Sequence, residues 1–595
     1  MTTNEKIAAL RQLMKERDID MYLIPTDDFH SSEYVGEHFK ARSFITGFTG
    51  SAGTAVITAT EAHLWVDGRY FVQGAKQIAG TEIILEKIGE PKVPTVEEFL
   101  KANLPSGGCL GFDGRCVSAR NAATYFDIAT EKNGTLFSTE DLVDKIWEDR
   151  PALPQATTWL LSDEYSGETM ESKIARVRQA MAAKKCNAHL ISCLYDIAYL
   201  LNIRGNDIEN VPVFLSFLLI TEDSIILFTD TTNWPVEVME YINEKQIKLY
   251  PYDMVYRFMN SAEMADKTIL LDETVVNYSI IKQIPGSATI VDDRDPSVMM
   301  RAVKNETEIK NTKWAHVKDA VACTKAIYRI KNTKDKATLT EIDVADIFEE
   351  ERRKQENFLD LSFDTIAAYG TNGAIVHYSA VKGSEARLEN KGFVMVDSGA
   401  HYLEGTTDIT RTIALGELTD KMKEYYTLVL RAHLLLLDAK FLKGTNGANI
   451  DMLARNPLWN SLLDYKHGTG HGVGHILNVH EGPQRIHFRA TSSEAFVPGM
   501  ITSDEPGIYI ENEFGIRTEN EVLCVPVTTN EHGEFYGFES LMYVPIDLEP
   551  VVADMLTQYE KQTLNEYHAK VRETLKPYLT DEEYDWLVKE THDIA

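Results

Sequence analysis

Residues Glu5–Ile24 recur without a gap at Ser172–Ile191, EKIAALRQLMKERDIDMYLI against SKIARVRQAMAAKKCNAHLI. The copies share K-I-A, R-Q, Met14 with Met181, and a closing Leu-Ile pair. In each, a charged segment with helical periodicity runs into a short apolar stretch, which predicts a helix followed by a strand. Such a chain must carry two successive domains of one fold, because two copies make a duplication and not a solenoid. Between the copies, Asp149–Thr158 (DRPALPQATT) interrupts the pattern with two prolines, placing a boundary near residue 155. A second polar, proline-containing break, Val291–Lys310, leads into a long helical pattern from near Asn305. The expected domains are therefore 1–155, 156–303 and 304–595.

A chain of 595 residues exceeds what one hydrophobic core supports, in agreement with that division. Beyond residue 305, helices are predicted at Glu306–Asn332, Glu341–Gln355 and Lys421–Phe441, while Phe393–Glu521 reads mainly as strands separated by turns. The fold class that follows is two duplicated α/β domains, then an α+β domain with an antiparallel sheet and a helical tail from Asp554.

Charge excludes some partners. The formal net charge is −31, so the summed field repels phosphate backbones and anionic lipid heads, and neither nucleic acid nor a membrane surface is an expected partner. Glu5, Lys6, Arg11, Lys15, Glu16 and Arg17 interrupt the start of the chain, unlike a signal peptide, and the most apolar run, Val211–Ile220 (VPVFLSFLLI), suits a buried strand rather than a membrane span. The expected location is the cytoplasm. Six cysteines, none in a CxxC pair, read as scattered buried thiols.

The chemistry is concentrated late in the chain. In Phe393–Gly416, two apolar runs flank a turn-like segment containing Gly405, the pattern of a β-hairpin. Asp397 and Asp408 lie on its two arms; directed into one pocket they would repel and protonate unless a divalent cation compensated them. As strand-end acids facing water they would need none. Four histidines follow within fourteen residues, His467, His471, His475 and His480. The glycines among them oppose a stable helix, so a glycine-rich loop or turn that brings imidazoles to a metal fits better than a zinc-protease helix. Glu505 precedes a Pro-Gly turn, and Glu519 opens an apolar strand. Asp, Asp, His, Glu and Glu make a hard, oxygen-rich donor set suited to manganese or cobalt.

Those five positions resemble the metal ligands of the pita-bread metallopeptidases, the family of methionine aminopeptidase, prolidase and aminopeptidase P. The Asp397–Asp408 interval, GTGHGVG around His471, DEPG around Glu505 and IRTEN around Glu519 all follow the family pattern. YLIPTDDFHSSEYVGEHFKARSFITGFTGSAGTAVIT and LWVDGRYFVQGAKQ look like the creatinase-like N-terminal domain of the long, three-domain cytosolic aminopeptidase P, so the resemblance covers essentially the whole chain.

The resemblance implies that Asp408 and Glu519 bridge two divalent ions, most readily manganese, with Asp397 completing one and His471 and Glu505 the other. It makes His377 and His480 the histidines that contact the substrate carbonyl and the tetrahedral intermediate, and Glu505 the proton carrier. Arg517 orients a ligand or the substrate by charge-assisted hydrogen bonds, unless it is a surface arginine. The chain departs from the family at Ala380, where proline is common, and at His475. The implied activity is release of the first residue from peptides with proline second, by a homodimer. A prolidase acting on dipeptides and a metal-free binding module of the same fold are the alternatives. Asp27–Tyr34 (DDFHSSEY) reads either as a segment closing over a substrate or as an exposed loop.

Overall fold

In the computed structural model, residues 1–490 and 494–595 are described. The chain forms two compact units, Met1–Leu161 with Glu168–Ser297, and Ser162–Gly167 with Val298–Ala595.

The first unit shows the duplication directly. Helix Thr3–Glu16 precedes strand Met21–Pro25, and helix Met170–Ala183 precedes strand Ala188–Ile191. Each strand begins a six-stranded mixed sheet in which the elements take the same order, fourth, third, second, first, fifth, sixth. The antiparallel pairs also match: Met21 faces Thr58 in one sheet and Ala188 faces Thr221 in the other. Matching burial at Ile7, Leu10 and Met14 and at Ile174, Val177 and Met181 explains why the repeat persists on one helix face.

Three local expectations need correction. Strand Ser216–Thr221 takes in only the second half of the Val211–Ile220 run; Val211–Leu215 is buried but irregular. The break read at Val291–Lys310 contains helix Pro296–Ala302, which Pro296 can open because its missing N–H is not needed there. The exposed-loop reading of Asp27–Tyr34 does not hold: Asp28, Phe29 and His30 are buried, and His30 Nε2 is 2.6 Å from Tyr252 Oη.

The second unit is α+β, and its named strand pairs are antiparallel. Asn305 caps the long helix Glu306–Asn332 through a capping box with Glu308. Asn305 Nδ2 also donates to Ser166 O at 2.9 Å, which fastens Ser162–Gly167 to this unit. The helix expected to reach Phe441 ends at Leu437, and Phe441 lies in strand Lys440–Leu442. A further helix, Gly447–Trp459, stands among the strands, capped by Asn446. One sheet centres on strand Phe393–Tyr402; another carries, in order, Lys440–Leu442, Gly533–Ser540, Asn520–Asn530, Ile501–Asp504, Gly470–Gly472 and Glu481–Ile486. Helices Gln558–Leu575 and Asp581–Glu590 close the chain, burying Leu564, Val571 and Leu587 in the core shared with the Phe393 strand.

Candidate metal centre

Strand Phe393–Tyr402 is buried along its whole length and pairs with Ile409–Ala414 as the expected hairpin. The register sets Asp397 opposite Thr410. Asp408 lies two residues before Thr410, so both aspartates fall on one face of the hairpin. Glu519 sits between strands Phe514–Arg517 and Asn520–Asn530, and its N–H donates to Thr410 O at 3.1 Å. Thr410 Oγ1 in turn donates to Glu519 Oε2 at 2.6 Å. Glu505 leaves the end of strand Ile501–Asp504, within 3.3 Å of Ser503 Oγ.

His471 occupies a short strand, not the loop expected. A Cβ at Gly470 would lie 1.9 Å from Ser503 O, and one at Gly472 would lie 2.1 Å from Glu481 O. The glycines are there because neighbouring backbones approach too closely for any side chain. His471 Nδ1 is 2.9 Å from Gly472 O; with its proton given to that carbonyl, Nε2 becomes the donor atom facing the acids. Nε2 stands 3.4 Å from Asp408 Oδ2 and 3.5 Å from Glu505 Oε1.

Three groups of potential donor atoms converge, the atoms of each lying within 4.8 Å of one another: Asp397, Asp408 and Glu519; His471, Glu505 and Glu519; and Asp408, His471 and His480. Glu519, Asp408 and His471 each belong to two of them, Glu519 and Asp408 being the carboxylates so shared. The five expected donors are therefore together, and His480 joins them, its ring 4.2 Å from that of His471.

Left to themselves these charges are badly matched. Burial raises the Asp408 carboxyl to about 6, with Asp397 adding to it and His471 only partly offsetting it. Burial, Asp408 and Asp397 lift Glu519 well above the usual carboxylate range, and burial raises Glu505. Burial lowers His471, but Asp408 and Glu505 overcome this and raise it to about 10. Among the described residues, Asp397 Oδ1 is buried with no hydrogen-bond partner. Four crowded carboxylates, one imidazole presented by Nε2 and an orphaned carboxylate oxygen fit two divalent cations, which would reverse the local preference for protonation.

Arg517 is buried, not a surface group. Its Nη2 donates to Asp397 Oδ2, Nη1 to Tyr509 Oη at 2.7 Å and Nε to Thr410 Oγ1 at 3.1 Å. His377 belongs to none of the three donor groups. It is half-buried on the turn after the short helix Gly370–Ala374, and that helix packs on strand Phe514–Arg517, where Gly515 leaves room for Gly373 O. His475 turns to structure, with Nε2 3.0 Å from Tyr165 O and Nδ1 3.1 Å from Thr312 Oγ1. Sequence reasoning gave no role to Thr410, Ser503 or Tyr509, and left His467 unassigned. His467 Nε2 is 2.8 Å from Tyr509 Oη. Only proximity to Asp408, Glu505 and the Pro-Gly turn could have flagged them.

The pattern for metallopeptidase family M24 matches residues 310–526, and its C-terminal region matches 534–594. The creatinase/prolidase N-terminal domain matches twice, at 6–146 and 149–308. The chain is 37% identical to Probable Xaa-Pro aminopeptidase P of Ajellomyces capsulatus (strain NAm1 / WU24), over 100% of this chain and 99% of that protein. It belongs to metallopeptidase family M24. This M24 chain is thus a hydrolase of the metallopeptidase class. Its fold matches X-prolyl aminopeptidase from Caenorhabditis elegans, described as a cytosolic enzyme with a di-nuclear active site, at TM-score 0.94, with 32% identity and 100% of both chains covered. Xaa-Pro dipeptidase from Bacillus anthracis matches at TM-score 0.50 and 27% identity, covering 64% of the M24 chain and 99% of its own.

Proposed function

We propose that this M24 chain is a dinuclear metal-dependent aminopeptidase that releases the first residue from peptides whose second residue is proline. The observation that carries the reading is the sharing of Asp408 and Glu519 between neighbouring donor groups, which suits two ions held by common carboxylates. The two relatives above that align over the entire chain are both named for Xaa-Pro or X-prolyl aminopeptidase, which favours the aminopeptidase over a prolidase. The expected domains, 1–155, 156–303 and 304–595, are supported by the separate family matches at 6–146, 149–308 and 310–526.

Asp397 would complete one ion's ligands, and His471 with Glu505 the other's. The oxygen-rich set without a thiolate supports manganese. When bound, the pair supplies Lewis acidity that polarises a carbonyl and acidifies water. The chain's own groups do the rest. Glu505 accepts the proton of the attacking water and hands it to the leaving imide nitrogen, while His480 and His377 donate hydrogen bonds to the oxyanion. Arg517, itself fixed by Tyr509, holds Asp397 in place. Among the described residues no helix is long and apolar enough to cross a membrane. A cytoplasmic location is supported by the cytosolic relative.

The test is hydrolysis of Xaa-Pro-Xaa, Xaa-Ala-Xaa and Xaa-Pro peptides after chelation and manganese addition. Metal-dependent loss of the first residue from Xaa-Pro-Xaa alone is the expected result. Cleavage of the alanine peptide removes the proline specificity, and cleavage of the dipeptide alone makes the chain a prolidase.

A further inference from the structure

Arg411 lies directly behind the centre, on the strand that follows Asp408, and is buried. Its guanidinium makes six hydrogen bonds: Nη1 to Thr410 O (2.9 Å) and Glu519 O (2.6 Å), Nη2 to Asn520 Oδ1 (2.8 Å), Val544 O (2.9 Å) and Tyr567 Oη (2.9 Å), and Nε to Pro545 O (3.1 Å). No carboxylate is among these acceptors. A buried arginine is ordinarily matched by an acid; here its five donors are spent on backbone carbonyls, an amide and a hydroxyl. Such a fan fixes geometry instead of neutralising charge.

Apart from Asn520 Oδ1, the acceptors fall in two sets. Thr410 and Glu519 are the residues whose side chains meet at 2.6 Å beside the shared donor position, and Arg411 grips the carbonyl of each. Val544, Pro545 and Tyr567 belong to the segment after the last sheet strand and to helix Gln558–Leu575. Tyr567 Oη also donates to Val544 O at 2.8 Å, so helix, segment and guanidinium are tied together.

We propose that Arg411 is a positioning residue through which the C-terminal helix holds Glu519 in register with Asp408 for the two ions. The inference rests on the metal reading above. Outer partners of ligand residues tune affinity because they set the ligand's aim. Arg411→Lys cannot span both acceptor sets, and Tyr567→Phe removes one hydroxyl with little change in packing.

The experiment is calorimetric titration of Mn²⁺ alone into the chelated full chain, wild type and both variants, with kcat, KM and the urea midpoint measured on the same preparations. The expected result is two Mn²⁺ sites in the wild type. At least one site should be roughly 10- to 100-fold weaker in Arg411→Lys and shifted in the same direction, by less, in Tyr567→Phe. At saturating Mn²⁺, kcat should fall with KM nearly constant. Wild-type affinities and kcat retained in both variants, with only a lower urea midpoint, would make Arg411 a purely structural brace and overturn the proposal. A wild-type chain that binds no Mn²⁺ overturns the metal reading itself, and this inference with it.

Discussion

Asp319 and Asp408 are both buried in the second unit, both beside strand Phe393–Tyr402, and opposite in how their charge is met. Asp319 receives Arg352 at two points, Nε at 2.7 Å and Nη2 at 3.0 Å, and the Tyr402 hydroxyl at 2.9 Å. Burial pushes its carboxyl up, but Arg352 and Tyr402 outweigh burial and hold it below the usual carboxylate range. Asp408 has other acids for neighbours and is raised to about 6 by burial first. A balanced buried acid is part of the architecture, since its partner is covalently present; an unbalanced one makes sense only with a cation from outside. The contrast separates stability from chemistry more cleanly than residue type does.

The largest expected effect breaks the unbalanced side. Asp408→Asn removes a donor common to two groups, so activity with saturating manganese should fall by at least about 10³-fold, several kcal/mol of transition-state stabilisation being at stake. The metal-free variant should unfold at a urea concentration no lower than the wild type, because a repelling charge has gone. Retained activity, or marked destabilisation, would place Asp408 in the same class as Asp319. The balanced side should respond the other way. Arg352→Met leaves Asp319 without its cation and should cost the second unit about 3–5 kcal/mol, read as an earlier urea transition. Activity per folded molecule should remain near the wild-type value; a large drop in kcat at full folding would show that Asp319 takes part in the reaction.

The same contrast marks what the sequence could tell. Repeated K-I-A and Leu-Ile positions are enough to show the duplicated sheets, because burial on one helix face leaves a periodic record at Ile7, Leu10 and Met14. The hairpin carrying Asp397 and Asp408 is equally legible, since its alternation and its turn are local. Helix Gly447–Trp459 is not, because Gly447 and Pro457 read as breakers, whereas Pro457 is accommodated in the last turn of a helix packed on its neighbours. Thr410 and Tyr509 have no signature beyond their nearness to Asp408 and the Pro-Gly turn, and Arg411 has none that shows its role. Their roles come from partners as distant in sequence as Glu519 and Tyr567, and no local pattern encodes a hydrogen bond across such an interval. Gly470 and Gly472 show the remaining ambiguity: glycine opposes a helix, but whether it serves a loop or a tightly packed strand depends on backbones elsewhere in the chain.

A third way to bury a titratable group is to keep it neutral, and His568 gives the smallest expected effect. Burial, aided by the positive charge of Arg411, lowers its imidazole to about 3, and Nε2 accepts the Ile546 N–H at 3.2 Å. In the unfolded chain the same group titrates near 6.5. Because the folded value is the lower one, its stabilising contribution is complete above pH 6.5 and is lost progressively as pH falls from there toward 3. Between pH 7 and pH 5 this one residue should cost about 2 kcal/mol. His568→Gln keeps an acceptor for Ile546 and cannot titrate. Denaturant unfolding of the wild type and this variant at the two pH values cancels the acids common to both, leaving the difference in slope as the readout. A shallower acid loss in the variant, by about that amount, places His568 with the neutral buried groups. Equal losses would mean that its ring is already charged in the fold, and that Arg411 tolerates a second cation beside it.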